Sequence, residues 1–308
     1  MKRTLLIIGC GDIALRAAPL LQPHYRLLGL CRNAENRRRL RMHGIIPVSG
    51  DLDNFRSLAK LAGMAHAVLH LAPPPDHGRR DTRTANLLAA LTKRSKTIGR
   101  MLPQQLVYIS TSGVYGDCSG ALIDETHPLN PQTERAMRRA DAERQVREWG
   151  QRNRVNVSIL RVPGIYAADR LPLARLREGV PALLPEEDSY TNHIHADDLA
   201  GSVLAALRHA KPGRIYHVCD DSHLKMGEYF DLVADRFGLP HPPRIARAEV
   251  DGRISPGMLS FMRESRRLTN TRMKQELHVN LRYPTVAAGI AASAANQPGK
   301  RVKSCLPV

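Results

Sequence analysis

Three stretches carry residue types whose spacing points to chemistry. In the first, the apolar run Leu5-Leu6-Ile7-Ile8 ends in Gly9-Cys10-Gly11-Asp12-Ile13-Ala14. Gly9 permits a tight turn, Gly11 lets backbone approach a pyrophosphate, and Ala14 is small enough for a helix to pack on a strand. The N–H groups at that helix start, from Asp12 and Ile13 onward, favour a phosphate together with the helix dipole. The second stretch is Ser110-Thr111-Ser112-Gly113-Val114-Tyr115-Gly116. It follows an apolar strand, so its hydroxyls fall at the carboxyl edge of a parallel sheet, where doubly wound folds bind ligands. The plain alternative is a hydroxyl-rich turn that satisfies its own backbone.

The third stretch concerns cofactor choice. About twenty residues beyond such glycines, NAD-binding proteins present an acid to the ribose hydroxyls. Cys31-Arg32 stands there instead, at the end of the predicted strand Tyr25–Cys31. Arg32, with Arg37, Arg38, Arg39 and Arg41 after it, offers fork-shaped donors suited to a 2'-phosphate. NADP is therefore expected, with NAD as the other candidate, and most of the four later arginines read as a solvated helix face.

The elements that position these groups follow from the apolar spacing. Ile13, Ala17, Ala18 and Leu21 predict a helix that Pro19 should kink or end. Ile45–Val48 and Ala67–Ala72 read as strands three and four, the latter closed by Pro73-Pro74-Pro75. Phe55, Leu58 and Leu61, then Leu87, Leu88 and Leu91, give helical stripes, and Leu106–Ser110 is strand five. Alternating strands and helices predict an α/β chain, a Rossmann-type doubly wound parallel sheet with a smaller C-terminal substrate lobe. Residues 1–165 form the dinucleotide-binding part, with 190–220 returning to it. Residues 166–189 and 221–290 form the lobe, and 291–308 a flexible tail.

The 308 residues are enough for a full core, and 43% are hydrophobic. The net charge of +17 admits nucleic acid, small anions or a solvated surface. With 4% aromatic residues and no recognition motif among the basic ones, a nucleic-acid partner is not expected. The four apolar residues before Gly9 are too few for a signal peptide or membrane span, so a cytoplasmic protein with no membrane partner is expected. Cys10, Cys31, Cys118, Cys219 and Cys305 are unpaired in spacing and suggest neither a metal site nor a disulfide framework.

Thr111-Ser112-Gly113-Val114-Tyr115-Gly116 resembles the Ser/Thr-x-x-Val-Tyr-Gly signature of the extended short-chain dehydrogenase/reductases, in particular the NAD-dependent epimerase/dehydratase family, which acts largely on nucleotide sugars. By that resemblance Thr111 is the catalytic hydroxyl and Ser112 a neighbour able to share its role. Ser110 precedes them at the cofactor. Gly50-Asp51-Leu52 resembles the adenine-contacting turn, Leu71-Ala72 the end of the fourth strand, and Leu160–Tyr166, with Pro163, the segment beside the nicotinamide. His193–Ala200 resembles a helix start whose His195, Asp197 and Asp198 anchor the return to the sheet. Many relatives pair outward-facing helices, which implies a homodimer.

The family's Tyr-x-x-x-Lys is absent. Counting back from Glu143 places Arg139 and Arg135 where lysine and tyrosine would stand. Arginine stays protonated and cannot give and take the proton. Tyr115 and Tyr166 are the nearest substitutes on matched motifs, although a tyrosine at position 115 more often packs against its turn. The leading reading is an NADP-dependent oxidoreductase or epimerase/dehydratase-like enzyme acting on a small molecule, a nucleotide sugar or another carbonyl or hydroxyl metabolite. The alternative is a non-catalytic NADP(H)-binding sensor.

Overall fold

Leu5, Leu6, Ile7 and Ile8 have no solvent exposure, because a strand covered on both faces by helices has no polar side to keep. The computed structural model describes residues 2–93 and 101–295. The chain forms seven parallel strands: β1 (Arg3–Ile8), β2 (Tyr25–Cys31), β3 (Ile46–Ser49), β4 (Ala67–His70), β5 (Gln105–Thr111), β6 (Asn156–Val162) and β7 (Ile215–His217). Their order is β7-β6-β5-β4-β1-β2-β3. Strand order reverses between β1 and β4, so a crevice opens at their carboxyl ends.

Helices α1 (Asp12–Leu21) and α2 (Ala34–Met42) follow the first two strands, α3 (Thr82–Thr92) precedes β5, and α4 (Glu134–Asn153) precedes β6. Ala14, Ala17 and Leu21 of α1 share one core with Leu199, Val203 and Leu207 of α5 (Ala196–His209). Leu87, Leu88 and Leu91 of α3 meet Ala142, Val146 and Trp149 of α4 in the core on the opposite face. Asn33 caps α2 and Thr133 caps α4, each side chain accepting a backbone N–H three residues on.

The lobe grows from the carboxyl end of β6. Gly164–Tyr166 pairs with His193–His195, and helices α6 (Met226–Phe237), α7 (Pro256–Met262) and α8 (Val286–Ala295) complete it. Tyr229, Phe230 and Val233 of α6 pack with Val286 and Ile290 of α8 around Tyr166. His195, Asp197 and Asp198 hold the return as expected. The His195 Nδ1 accepts the Asp197 N–H, Asp197 receives Arg16 at 2.8 Å, and Asp198 accepts the N–H groups of Arg282 and Tyr283.

Three expectations are corrected. Helix α1 runs on to Leu21, two residues past Pro19, because a proline in the last turn removes only one hydrogen bond. Arg263, Arg266, Arg267 and Arg272 read from sequence mainly as a solvated surface able to meet an anion, yet Arg266, Arg267 and Arg272 are bound into the fold. They donate to the carbonyls of Gly116, Gly120 and Ile215 and fasten the lobe to the loops around the sheet. Helix α8 continues to Ala295, five residues into the segment assigned to the tail, while 296–308, with Cys305, lies outside the described residues. No helix among the described residues is long and apolar enough to cross a membrane.

The crevice depends on Gly9, which has φ +89° and sits against β4. A Cβ there would lie 2.3 Å from the Ala72 nitrogen. Gly9→Ala should therefore destabilise the fold by at least about 2 kcal/mol. Gly11→Ala, whose Cβ would meet nothing within 4 Å, should stay within about 1 kcal/mol of wild type. Urea denaturation of both variants checks this, and equal midpoints would contradict it.

Candidate functional site

The first cleft is built on the turn from β1 to α1. It is lined by Gly9, Gly11, Arg32, Asp51, Leu52 and Ala72, with Leu71 beside them. The open space at Gly11 leaves room for a group against the backbone. The amides of Asp12, Ile13 and Ala14 lie in the first turn of α1 and lack intrahelical acceptors. Their side chains turn elsewhere. The Asp12 carboxylate takes Arg16 at 3.0 Å and Arg170 at 3.2 Å, Ile13 packs on the core, and Ala14 is fully buried. This is the donor set that a pyrophosphate needs: a glycine turn no larger residue can replace, followed by unpaired amides at a helix start.

At the β2 end the cleft adds Arg39, one of the arginines expected mostly on a solvated face, together with Asn36 and Arg83, which carry no sequence expectation. Arg39 donates to the Cys10 carbonyl at 3.2 Å, and Arg37 to Ser49 at 2.7 Å. Asp53 is clasped by Arg83 through two 2.8 Å bonds, which hold its carboxyl below the usual range, with the positive charge of Arg32 a smaller contribution. Asp51 accepts the Asp53 N–H, and the turn is closed by Ser57. Cys10 also lines this cleft, and burial pushes its thiol up to about 12, so it is protonated and inert.

The second cleft, about 540 Å³, lies where β5 and β6 end beneath the lobe. It brings together Thr111, Ser112 and Pro163 from the expected set. The Thr111 Oγ1 accepts the Gly113 N–H at 3.2 Å, so its own hydrogen is free to point at a substrate oxygen. Ser110 is buried behind them, and its Oγ has no partner. Arg135 and Arg139 also line this cleft, so α4 presents both replacements for the Tyr-Lys positions to the same space. Among the described residues no group of three or more His, Cys, Asp or Glu side chains could hold a metal.

Tyr115 does not reach this cleft, which corrects its place among the catalytic candidates. It is fully buried, and its hydroxyl belongs to a directed chain of hydrogen bonds. Arg161 donates to it at 2.6 Å. The Nδ1 of His217 must donate to the Thr269 carbonyl at 3.0 Å, so Nε2 accepts and Tyr115 donates to it at 2.5 Å. Burial pushes Tyr115 up to about 12. Tyr166 does line the cleft, but its hydroxyl donates to the Thr285 carbonyl at 3.3 Å and burial raises its pKa further. Neither has the lowered pKa of a tyrosine poised to give up its proton. The sequence reading did not single out His193 as a cleft group. Its imidazole is buried, its Nδ1 has no partner, and burial pushes its pKa down to about 4.

A doubly wound sheet with a phosphate-binding turn, a hydroxyl-bearing strand end and a lobe over both defines a dinucleotide-binding α/β protein. A model of the NAD dependent epimerase/dehydratase family matches residues 16–219, and the chain belongs to that family. Protein YeeZ of Escherichia coli (strain K12) is 29% identical over 139 residues, 45% of this chain and 48% of YeeZ, so the match spans about half of that relative. GDP-6-deoxy-D-mannose reductase of Pseudomonas aeruginosa is 28% identical over 211 residues, 59% of this chain and 68% of that protein. A conserved protein of unknown function from Silicibacter pomeroyi DSS superposes with a TM-score of 0.79 at 29% identity, covering 96% of this chain and 99% of its own. UDP-glucuronic acid 4-epimerase from Bacillus cereus, in complex with NAD, gives 0.73 at 16% identity over 95% and 97%, a likeness of fold alone.

Burial depresses His70 and His217 to about 3 and His193 to about 4, against an ordinary value of 6.5. Below pH 6.5 the unfolded chain takes up protons that these folded histidines refuse, so their stabilising contribution is complete above that pH and is lost as pH falls towards 4. Asp220 acts in the opposite sense, because burial raises it from 3.8 to about 7. Three histidines against one aspartate leave a net uptake of about two protons on unfolding. The unfolding free energy should fall steadily from pH 7 to 4.5 in urea titrations, and a flat or rising profile would contradict the buried neutral imidazoles.

Proposed function

We propose that this chain is an NADP-preferring oxidoreductase or epimerase/dehydratase-like enzyme for a small carbonyl or hydroxyl metabolite, working without a Tyr-x-x-x-Lys pair. The observation that carries the reading is the continuity of apparatus along one sheet edge. Gly9 and Gly11 with the α1 amides would hold a pyrophosphate, Arg32 with Asn36 and Arg39 the 2'-phosphate end, and Pro163 with Thr111 the reactive end. A bound nicotinamide dinucleotide would supply the hydride acceptor or donor. Thr111 has a free O–H to polarise the reacting oxygen, and Ser112 stands beside it. A relative that carries a reductase name supports this class of reaction. A substrate-sized cleft favours an enzyme over a sensor, which needs only the first cleft.

Calorimetric titration should give tighter NADP⁺ than NAD⁺ binding, and Arg32→Ala should weaken NADP⁺ by about 10- to 100-fold while leaving NAD⁺ nearly unchanged. Equal wild-type affinities, or an unaltered preference in the variant, would overturn the cofactor assignment. With a substrate found by screening carbonyl metabolites against NADPH, Thr111→Val should lower kcat by about 100-fold and leave cofactor affinity within about twofold. If no metabolite oxidises NADPH while a partner protein distinguishes NADPH from NADP⁺, the sensor takes its place.

A further inference from the structure

Charges lining the second cleft are not balanced. Arg266 is paired with Glu264 at 3.0 Å, and Arg170 with Asp12 at 3.2 Å. Arg135 and Arg139 are different: among the described residues neither has an ion pair. Arg139 uses both N–H groups of Nη1, on the Tyr108 hydroxyl at 3.1 Å and the Ile109 carbonyl at 2.8 Å. Its Nη2 and Nε edge is left with three of the five guanidinium donors. Arg135, one helical turn earlier on the same face of α4, makes no hydrogen bond among the described residues and lies 4.2 Å over the Phe261 ring.

The position of this pair is informative. Ile109 is two residues before Thr111 on β5, so the guanidinium of Arg139 is anchored beside the hydroxyls that face the substrate oxygen. An anion bound by these forks therefore lies a short distance from the reacting carbon. The cleft's own carboxylate, Glu264, is hydrogen-bonded to Arg266; its charge is felt by Arg135, but it makes no ion pair with Arg135 or Arg139 among the described residues. Arg135 is exposed and Arg139 half-buried, so the pair presents unpaired guanidinium donors to an anion that enters the cleft. A planar fork matches a carboxylate through two parallel hydrogen bonds.

We propose that Arg135 and Arg139 form a carboxylate-binding site, and that the substrate is a compact hydroxy or oxo acid whose acid group sits on these arginines while its hydroxyl or carbonyl oxygen meets Thr111 and Ser112. The inference rests on the enzyme reading above and narrows it from any carbonyl or hydroxyl metabolite to an acid.

Calorimetry on NADP⁺-saturated protein tests it with matched skeletons: D-glucuronate, D-glucose and D-glucose 6-phosphate, and D-glycerate, glycerol and glycerol 3-phosphate. At least one acid should bind at least 10-fold more tightly than its neutral and phosphorylated counterparts. Arg139→Gln and Arg135→Gln should each weaken that acid at least 10-fold, with NADP⁺ affinity and thermal midpoint retained. Arg139→Lys, which keeps the charge but loses the fork, should recover part of the binding and guards against a variant that merely misfolds. The proposal is overturned if no acid binds while NADP⁺ does, if a phosphate ester or neutral sugar binds as tightly, or if the glutamine variants leave acid binding intact. Loss of NADP⁺ affinity in Arg139→Gln would assign that arginine to the cofactor and overturn its role here. Failure of the wild-type protein to bind either dinucleotide would instead remove the enzyme reading itself.

Discussion

Arg161 and Glu143 are an ion pair almost without water, each side chain 3% exposed, joined by bonds of 3.1 and 2.7 Å. Two charges taken out of solvent stay ionised only if geometry and further hydrogen bonds replace the lost hydration, and removing one partner commonly costs about 3–5 kcal/mol. The pair fixes α4 against β6. Its second consequence runs through the remaining Arg161 donor, which holds Tyr115, then His217 on β7, then the Thr269 carbonyl in the lobe. Sheet, hydroxyl turn, helix and lobe are thus registered by one buried chain. Glu143 lies one turn beyond Arg139, so the same contact sets which face of α4 looks into the cleft.

This arrangement explains how the Val-Tyr-Gly turn persists without its usual acid/base partners. Tyr115 is a structural strut between Arg161 and His217, and its role there does not depend on catalysis. Thr111 sits at the start of the same turn with its hydrogen uncommitted. On α4, two permanent cations, Arg135 and Arg139, face the same cleft, and arginine neither gives nor takes a proton there. A proton still needs a carrier. His193 lines the cleft, but burial depresses it to about 4, so it stays neutral and does not take up that proton.

Much of this was legible in the sequence because it rests on local rules. The apolar run before Gly9 reads as a buried strand, β2 has the bounds Tyr25–Cys31 expected of it, and Thr133 and Gly238 are residue types that cap helix ends and stand there. The first cleft gathers Gly9, Gly11, Arg32, Asp51, Leu52, Leu71 and Ala72 from four separate loops. Long-range pairing was not legible. Nothing local shows that Arg16 meets Asp169 and Asp197, that Arg83 clasps Asp53, or that Arg266 is buried on the Gly116 carbonyl. Arginines in polar stretches look alike in sequence whether they are solvated, structural or cleft-lining, and only the tertiary position of an acceptor separates them. That Tyr115 packs against its turn was one of its sequence readings, but its partners Arg161 and His217, like the burial of His193, come from remote elements.

The account turns on a dinucleotide lying along one sheet edge, from the glycine turn to the hydroxyls of β5. A crystal structure of the NADP⁺ complex tests it most directly. The pyrophosphate should lie on the amides of the Gly11–Ala14 turn, the 2'-phosphate within hydrogen-bonding distance of Arg32, and the nicotinamide beside Thr111 and Pro163. A dinucleotide bound elsewhere, or one whose 2'-phosphate points to solvent away from Arg32 and whose nicotinamide stays outside the second cleft, would contradict it.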